Sequence, residues 1–249
     1  AQAAVGHLTK LQREMGSKNA LAGMEDGELD IAVAVGLGGA FGGTGQKCTA
    51  SSRLIVHEAV HDAFVEKLIA GAKAMKVGHA LGDGTQMGPV VSEEQLRENL
   101  AYVNLGLSEG AELACGGARL ERETEGYYMS PGVFLGTTNA MRINREEMFA
   151  PLTAVIKVAS YDEALATVND TEFGLTSGIV TRDLARATHF RRNAETGVVT
   201  VNLPTAGTDY HVPFGGRGQS SYGPREQGTY AREFYTTVKT AYIAAGDPT

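Results

Sequence analysis

Cysteine is scarce: only Cys48 and Cys115 occur in 249 residues, and they lie far apart in the chain. A disulfide framework or a structural zinc site needs more sulfur at closer spacing, so free thiols and no bound metal are expected. Basic clusters are missing too. Lys and Arg number 22 against 29 Asp and Glu, giving a net charge of −7, and no cationic run makes the stripe that a nucleic-acid binder carries. No stretch nears the roughly 18 consecutive apolar residues of a membrane helix, and the first residues lack a secretory pattern. The expectation is a cytoplasmic protein acting on a small molecule, with no nucleic-acid or membrane partner. Neither G-x-G-x-x-G after a strand nor a G-x-x-x-x-G-K-[ST] loop occurs, so the glycines between Gly36 and Gly45 carry no phosphate-binding motif. They can instead permit close backbone approach around Cys48.

An apolar content of 43% over this length is enough for a substantial core. The segments "SRLIV", "AELACGG", "PGVFLG", "TAVIKVA", "SGIVT" and "GVVTVNLP" read as strands. Between them run helical patterns. Val60, Phe64, Leu68 and Ala72 recur every fourth residue, Ser92 with Gln95 forms a capping box, and Asp26 is placed to cap the helix that starts near Leu29. Such alternation predicts an α/β fold, a mostly parallel sheet covered by helices. The tail "EFYTTVKTAYIA" alternates like a strand with two different faces, which suits pairing outside its own sheet.

Three features invite chemistry. His57 and His61 in "HEAVH" have the zinc-protease spacing, but Phe64 and Lys67 stand where the metzincin extension needs glycine and histidine, so the segment reads as a helix start. Cys115 lies in an apolar stretch and reads as a small core residue. Cys48 differs. Its neighbours Gly45, Gln46, Thr49, Ala50 and Ser51 are small or polar and leave backbone N–H groups beside the sulfur, which lowers a thiol pKa and favours a nucleophile. None of the six histidines is flanked as a partner base, which leaves carboxylates as candidates. Composition alone leaves catalysis and packing both open for this thiol.

Around it, "GQKCTASSR" resembles the nucleophile motif of the aldehyde dehydrogenase family, and "REMGSKN", Arg13 to Asn19, resembles its general-base motif. "REEMFAP" is similar to the family's cofactor-gripping motif, and "PFGGRGQSSYGPREQG" to its glycine-rich anchor near the C-terminus. The four occur in family order across essentially the whole chain. Within the family, "NLPTAGTDYHVPFGG" and "GPREQGTYAREFYTTVKTAY" look like the branch that oxidises α-ketoglutarate semialdehyde.

The resemblance implies NAD(P)-dependent oxidation of an aldehyde to an acid. Cys48 would be the nucleophile, forming a thiohemiacetal and then a thioester. Glu14 would activate the hydrolytic water, and Glu226 would help relay protons. Glu147 would accept hydrogen bonds from the nicotinamide-side ribose, Phe149 would lie beside the nicotinamide, and Phe214 near the aldehyde pocket. Lys18 reads as structural support.

The family's dinucleotide domain precedes the base motif, so residues 1–17 are expected to be the end of a nucleotide-binding domain otherwise absent from the chain. Residues 18–228 would form the catalytic domain and 229–249 an oligomerisation segment for a homodimer or homotetramer. The opening "AQAAVGHLTK" reads as though cut from something longer, which implies feeble binding of NAD or NADP and no aldehyde oxidation by this chain alone. Three departures bear on cofactor positioning: Ser17 replaces the second glycine of the base motif, Ala150 the glycine of the gripping motif, and "GRGQSS" stands for the usual "GRKGSS". A cofactor-independent thiol esterase using Cys48 and Glu14, and a non-catalytic oligomerisation module, are the alternatives.

Overall fold

The computed structural model describes residues 1–246. Seven strands form the central sheet: β1 (Ala20–Gly23), β2 (Arg53–His57), β3 (Glu112–Cys115), β4 (Gly132–Leu135), β5 (Leu152–Val158), β6 (Thr176–Val180) and β7 (Val198–Val201), ordered β7-β6-β1-β2-β5-β4-β3. All neighbours are parallel except the edge pair β3 and β4. The expected α/β architecture is present.

The sheet is covered by helices α1 (Leu29–Phe41), α2 (Glu58–Ala74), α3 (Glu93–Ser108), α4 (Tyr161–Asn169) and α5 (Leu184–Asn193). Strand alternation sorts side chains into two layers. Leu21, Leu54 and Val56 pack with Phe64 and Leu68 of α2, whereas Ala20, Ala22 and Ile55 pack with Ala164, Val168 and Phe190 of α4 and α5. The four-residue rhythm of α2 is realised, since Phe64, Leu68 and Ala72 are buried and Val60 packs partly against the same core. Ser92 caps α3 by accepting the Gln95 N–H at 3.2 Å. The reciprocal half of the box is not made, because the Gln95 amide reaches Asn99 instead.

One expectation fails. Asp26 does not cap α1, whose N-cap is Glu28 with no side-chain bond. Its Oδ2 instead accepts the Thr181 hydroxyl at 2.6 Å and the N–H groups of Arg182 and Asp183 at 2.8 and 2.9 Å, while Oδ1 meets Arg186 at 2.6 Å. Three donors and a guanidinium outcompete one capping bond. The tail pairs with no strand of its own chain among the described residues. Ala231–Tyr235 is a short helix and residues 236–246 form no strand, although Val238, Tyr242 and Ile243 are each more than 90% exposed. A lone strand has no ladder to complete, and the described residues offer this one no partner. Residues 247–249 of the proposed oligomerisation segment lie outside the described residues.

Among the described residues no helix is long and apolar enough to cross a membrane. No group of three His, Cys, Asp or Glu there is placed to hold a metal ion. His57 caps α2, its Nδ1 accepting the Ala59 N–H, and Cys115 is buried in β3.

Candidate active site

Cys48 lies in the loop before β2, Asn19 directly precedes β1, and Glu147 and Phe149 lie in the loop before β5. These strands are adjacent and parallel, so all four residues gather at the amino edge of the sheet. Helices returning along the sheet end there, and a helix C-terminus presents carbonyls. The edge therefore suits cations and N–H donors more than phosphate.

Glu14 is fixed by a short antiparallel pairing of Arg13–Glu14 with Ser221–Tyr222, and its Oε2 accepts the Ser221 hydroxyl at 2.7 Å. Burial pushes the Glu14 carboxyl above the ordinary glutamate range, against the Ser221 bond, and neighbouring Glu226 pushes it further. Glu226 is held by two backbone bonds with Phe214, at 2.8 and 2.9 Å. The Phe214 ring is itself buried.

Cys48 is half-buried, and burial pushes its thiol up, with Glu14 and Glu147 adding to the rise. The N–H groups of Cys48 and Thr49 pull the other way, as the loop composition suggested. They are outweighed. The expected low thiol pKa is therefore absent, first because the sulfur is half-buried and then because two carboxylates from distant segments act on it.

Glu147 Oε1 accepts the Ser17 N–H at 2.8 Å. A Cβ at Gly16 would stand 2.5 Å from Glu147 Oε2, so any other residue there would push the carboxylate from its present place. Burial raises the Glu147 carboxyl, while the Ser17 N–H and Lys18 lower it. Lys18 is buried, and its Nζ has no hydrogen-bond partner among the described residues. Burial, with Arg53 beside it, pulls its ammonium down to about 7.

The three departures are accommodated. Ser17 needs no positive φ, and its hydroxyl donates to Asn19 Oδ1 at 2.7 Å. Ala150 is buried without left-handed backbone, because the positive φ of the turn, 51°, falls on Phe149. In "GRGQSS", Gln219 bonds the Glu172 carbonyl through its N–H at 2.9 Å and the Glu172 carboxylate through its side chain at 3.1 Å. Gly45 has φ +65°, and a Cβ on it would fall 2.0 Å from the Ala150 carbonyl oxygen, which brings the nucleophile loop against the segment carrying Phe149.

The motifs did not single out Arg53, Asn19 or Thr205. Arg53 had one legible signal, a charge opening the buried run "RLIV". Thr205 had none. The arrangement as a whole offers a half-buried thiol, two carboxyls of raised pKa that act on it electrostatically, and an exposed aromatic residue two positions after one of them.

Comparison with known proteins agrees with this chemistry. The model of the aldehyde dehydrogenase family matches residues 1–241. The chain is 41% identical over 244 residues to the α-ketoglutaric semialdehyde dehydrogenase of Bacillus subtilis, covering 97% of this chain and 50% of that protein. It is 43% identical over 236 residues to the α-ketoglutarate semialdehyde dehydrogenase of Haloferax volcanii, covering 94% and 48%. Among solved structures, an NAD-dependent aldehyde dehydrogenase from Sinorhizobium meliloti superimposes with a TM-score of 0.93 at 31% identity, over 100% of this chain and 49% of that one. The chain spans about half the length of the relatives it matches. On the family match and these identities, the chain belongs to the aldehyde dehydrogenase family.

Proposed function

We propose that this chain supplies the reacting groups of an NAD(P)-dependent enzyme that oxidises an aldehyde to a carboxylic acid. The observation that carries the reading is the gathering of Cys48, Glu147 and Phe149 at the amino edge of three adjacent parallel strands, where Glu14 and Glu147 both act on the thiol. In the proposed division, residues 1–17 belong with a nucleotide-binding domain, 18–228 form the catalytic domain and 229–249 the oligomerisation segment.

Cys48 gives its thiol proton to the Glu14 carboxylate as Sγ bonds to the aldehyde carbon, and the carbonyl oxygen becomes an oxyanion that the Cys48 N–H can stabilise. Loss of hydride from that carbon leaves a thioester on Cys48. Glu14 takes a proton from water, the resulting hydroxide attacks the thioester, and the acid leaves as the thiol is restored. Glu226, whose charge acts on Glu14, would pass each proton that Glu14 takes outward.

The residues present fit the nicotinamide end of a dinucleotide. Glu147, held through Oε1 by the Ser17 N–H, would offer its carboxylate to a hydroxylated group, and Phe149 beside it is 38% exposed. When bound, oxidised nicotinamide supplies the hydride acceptor and a positive charge that offsets the two carboxylates around Cys48.

Identity of 41–43% to α-ketoglutarate semialdehyde dehydrogenases favours α-ketoglutarate semialdehyde as substrate, with Phe214 near its pocket. NAD is favoured over NADP by structural neighbours described as NAD-dependent or solved with NAD. Cys48→Ala is expected to lower aldehyde-dependent NAD(P)H formation, in an enzyme carrying this chain with a nucleotide-binding domain, by at least about a thousandfold. Equal rates in the two proteins would overturn the assignment.

The tail supports assembly with a second copy. Tyr235, Val238, Tyr242 and Ile243 are all at least 80% exposed, and the Lys10 ammonium ties the segment's start through the Glu233 and Thr236 carbonyls. Val238→Lys with Tyr242→Lys is expected to halve, or more than halve, the sedimenting mass of the wild-type oligomer. An oligomer insensitive to both changes would place the interface elsewhere.

A further inference from the structure

Four consecutive carbonyls of the nucleophile loop are each held by a side chain. Asn19 Nδ2 donates to the Cys48 oxygen at 2.7 Å and to the Ala50 oxygen at 2.9 Å. The Thr205 hydroxyl donates to the Thr49 oxygen at 2.7 Å, and the Thr153 hydroxyl to the Ser51 oxygen at 3.1 Å. Asn19, Thr153 and Thr205 are all buried.

The donors' orientations are determined. Asn19 Oδ1 accepts the Thr176 backbone N–H at 3.0 Å, and a backbone N–H can only donate, so Nδ2 must face the carbonyls. Thr205 has one hydroxyl proton. The Thr49 carbonyl can only accept it, so the Ser51 hydroxyl, 2.7 Å away, must be the donor to Thr205.

A carbonyl and the following N–H share one rigid plane and point in opposite directions. Holding the Cys48 carbonyl inward therefore turns the Thr49 N–H outward, and the N–H groups of Cys48 and Thr49 are the two backbone donors that act to lower the thiol pKa. Holding the Thr49 carbonyl turns the Ala50 N–H to the Lys47 oxygen, 3.0 Å away, which closes the turn carrying Cys48. A loop with free carbonyls could rotate these planes, and the sulfur would then face two carboxylates with no compensating donors.

We propose that Asn19 and Thr205 are positioning residues for the nucleophile, clamping the carbonyls of residues 48 to 50 so that the N–H groups of Cys48 and Thr49 face the sulfur and any oxyanion formed on its substrate. The proposal rests on Cys48 being the nucleophile. It adds a reason for the small polar residues that follow the cysteine: each places a carbonyl within reach of a buried donor.

The test is the pH profile of Cys48 alkylation by iodoacetamide in the intact chain, with the modified peptide identified by mass to separate it from Cys115. Glu14 and Glu147, the charged groups acting on this thiol, are unchanged throughout. Thr205→Val is expected to move the profile's midpoint upward by about half a unit to one unit, a roughly three- to tenfold slower reaction below it. Thr205→Ser should restore the wild-type midpoint, and Asn19→Ala should shift it at least as far as Thr205→Val. A Thr205→Val midpoint equal to wild type, even with a lower melting temperature, would make Thr205 a packing residue and overturn the clamp whether or not Asn19→Ala folds. A wild-type Cys48 that reacts only after denaturation would instead overturn the nucleophile reading, and the clamp with it.

Discussion

Glu14→Gln is expected to trap the acylated enzyme. With p-nitrophenyl acetate, which needs no hydride acceptor, Cys48 should still release a burst of nitrophenol while steady hydrolysis falls by about 10²–10⁴-fold, the usual contribution of a positioned general base. Glutamine keeps the shape of the side chain and still accepts the Ser221 hydroxyl that now binds Glu14 Oε2, so the pairing around residue 14 should persist. Mass spectrometry should find the acetyl group on Cys48 in Glu14→Gln and none in Cys48→Ala. Unchanged steady hydrolysis in Glu14→Gln would show that another group activates the water.

The pH dependence follows from the same carboxyl. Glu14 acts as a base only when deprotonated, so deacylation falls as pH drops through its pKa. Burial and Glu226 raise that pKa, which places the acid limb above the ordinary glutamate range. Ser221→Ala removes a bond to the ionised form and should move the limb higher still. The folding linkage has the matching sign. A carboxyl whose folded pKa is raised destabilises the fold once ionised, and the penalty disappears as pH falls below its unfolded value.

Periodicity was enough to read six of the seven sheet strands and the helices over them, because a buried strand or a four-residue rhythm records burial in the sequence itself. Phe64, Leu68 and Ala72 behave accordingly. The central strand Ala20–Gly23, four small or aliphatic residues directly after the base motif, carries no such signal. The motif residues were legible as a set, and the structure brings Cys48 into electrostatic range of Glu14 and Glu147, and Glu14 into range of Glu226. Properties that depend on distant neighbours were not legible. The thiol pKa reversed direction because the fold half-buries the sulfur and sets Glu14 and Glu147, from other segments, to act on it. Asp26 found three donors near residue 182 that no local pattern around it announces. Ala150 was suspected because its neighbourhood needs a left-handed residue, and the fold assigns that conformation to Phe149. The tail alternates like a strand, but alternation cannot say whose ladder it joins.

Arg53→Leu is expected to unfold the chain or nearly so. The guanidinium is 1% exposed and stands at the amino edge of β2, directly behind the site. Its Nε and Nη2 donate to the Lys18 carbonyl at 3.1 and 2.9 Å, Nη1 to the Thr167 carbonyl at 2.9 Å and to Asn139 at 2.8 Å, and Nη2 also to the Val168 carbonyl at 3.1 Å. Thr167 and Val168 lie in the last turn of α4, whose carbonyls lack helical partners and carry the negative end of the helix dipole. One cation thus joins the base-motif segment to a helix on the far layer. Burial, and then the charge of Arg145, lower the Arg53 pKa to about 10, which still leaves it protonated at neutral pH. Leucine fills much of the volume but strands three backbone carbonyls, each costing about 1–3 kcal/mol when buried without a donor. The sum, of order 5 kcal/mol, is comparable to the lower end of the roughly 5–15 kcal/mol that holds a domain together. Thermal unfolding followed by circular dichroism should show a loss of about 10–20 °C, or no cooperative transition. Arg53→Lys should fall between, since an ammonium keeps the charge but cannot span the same acceptors. An Arg53→Leu protein melting within a few degrees of wild type would mean that these carbonyls find water or new donors, and that the edge beneath Cys48 is held by packing alone.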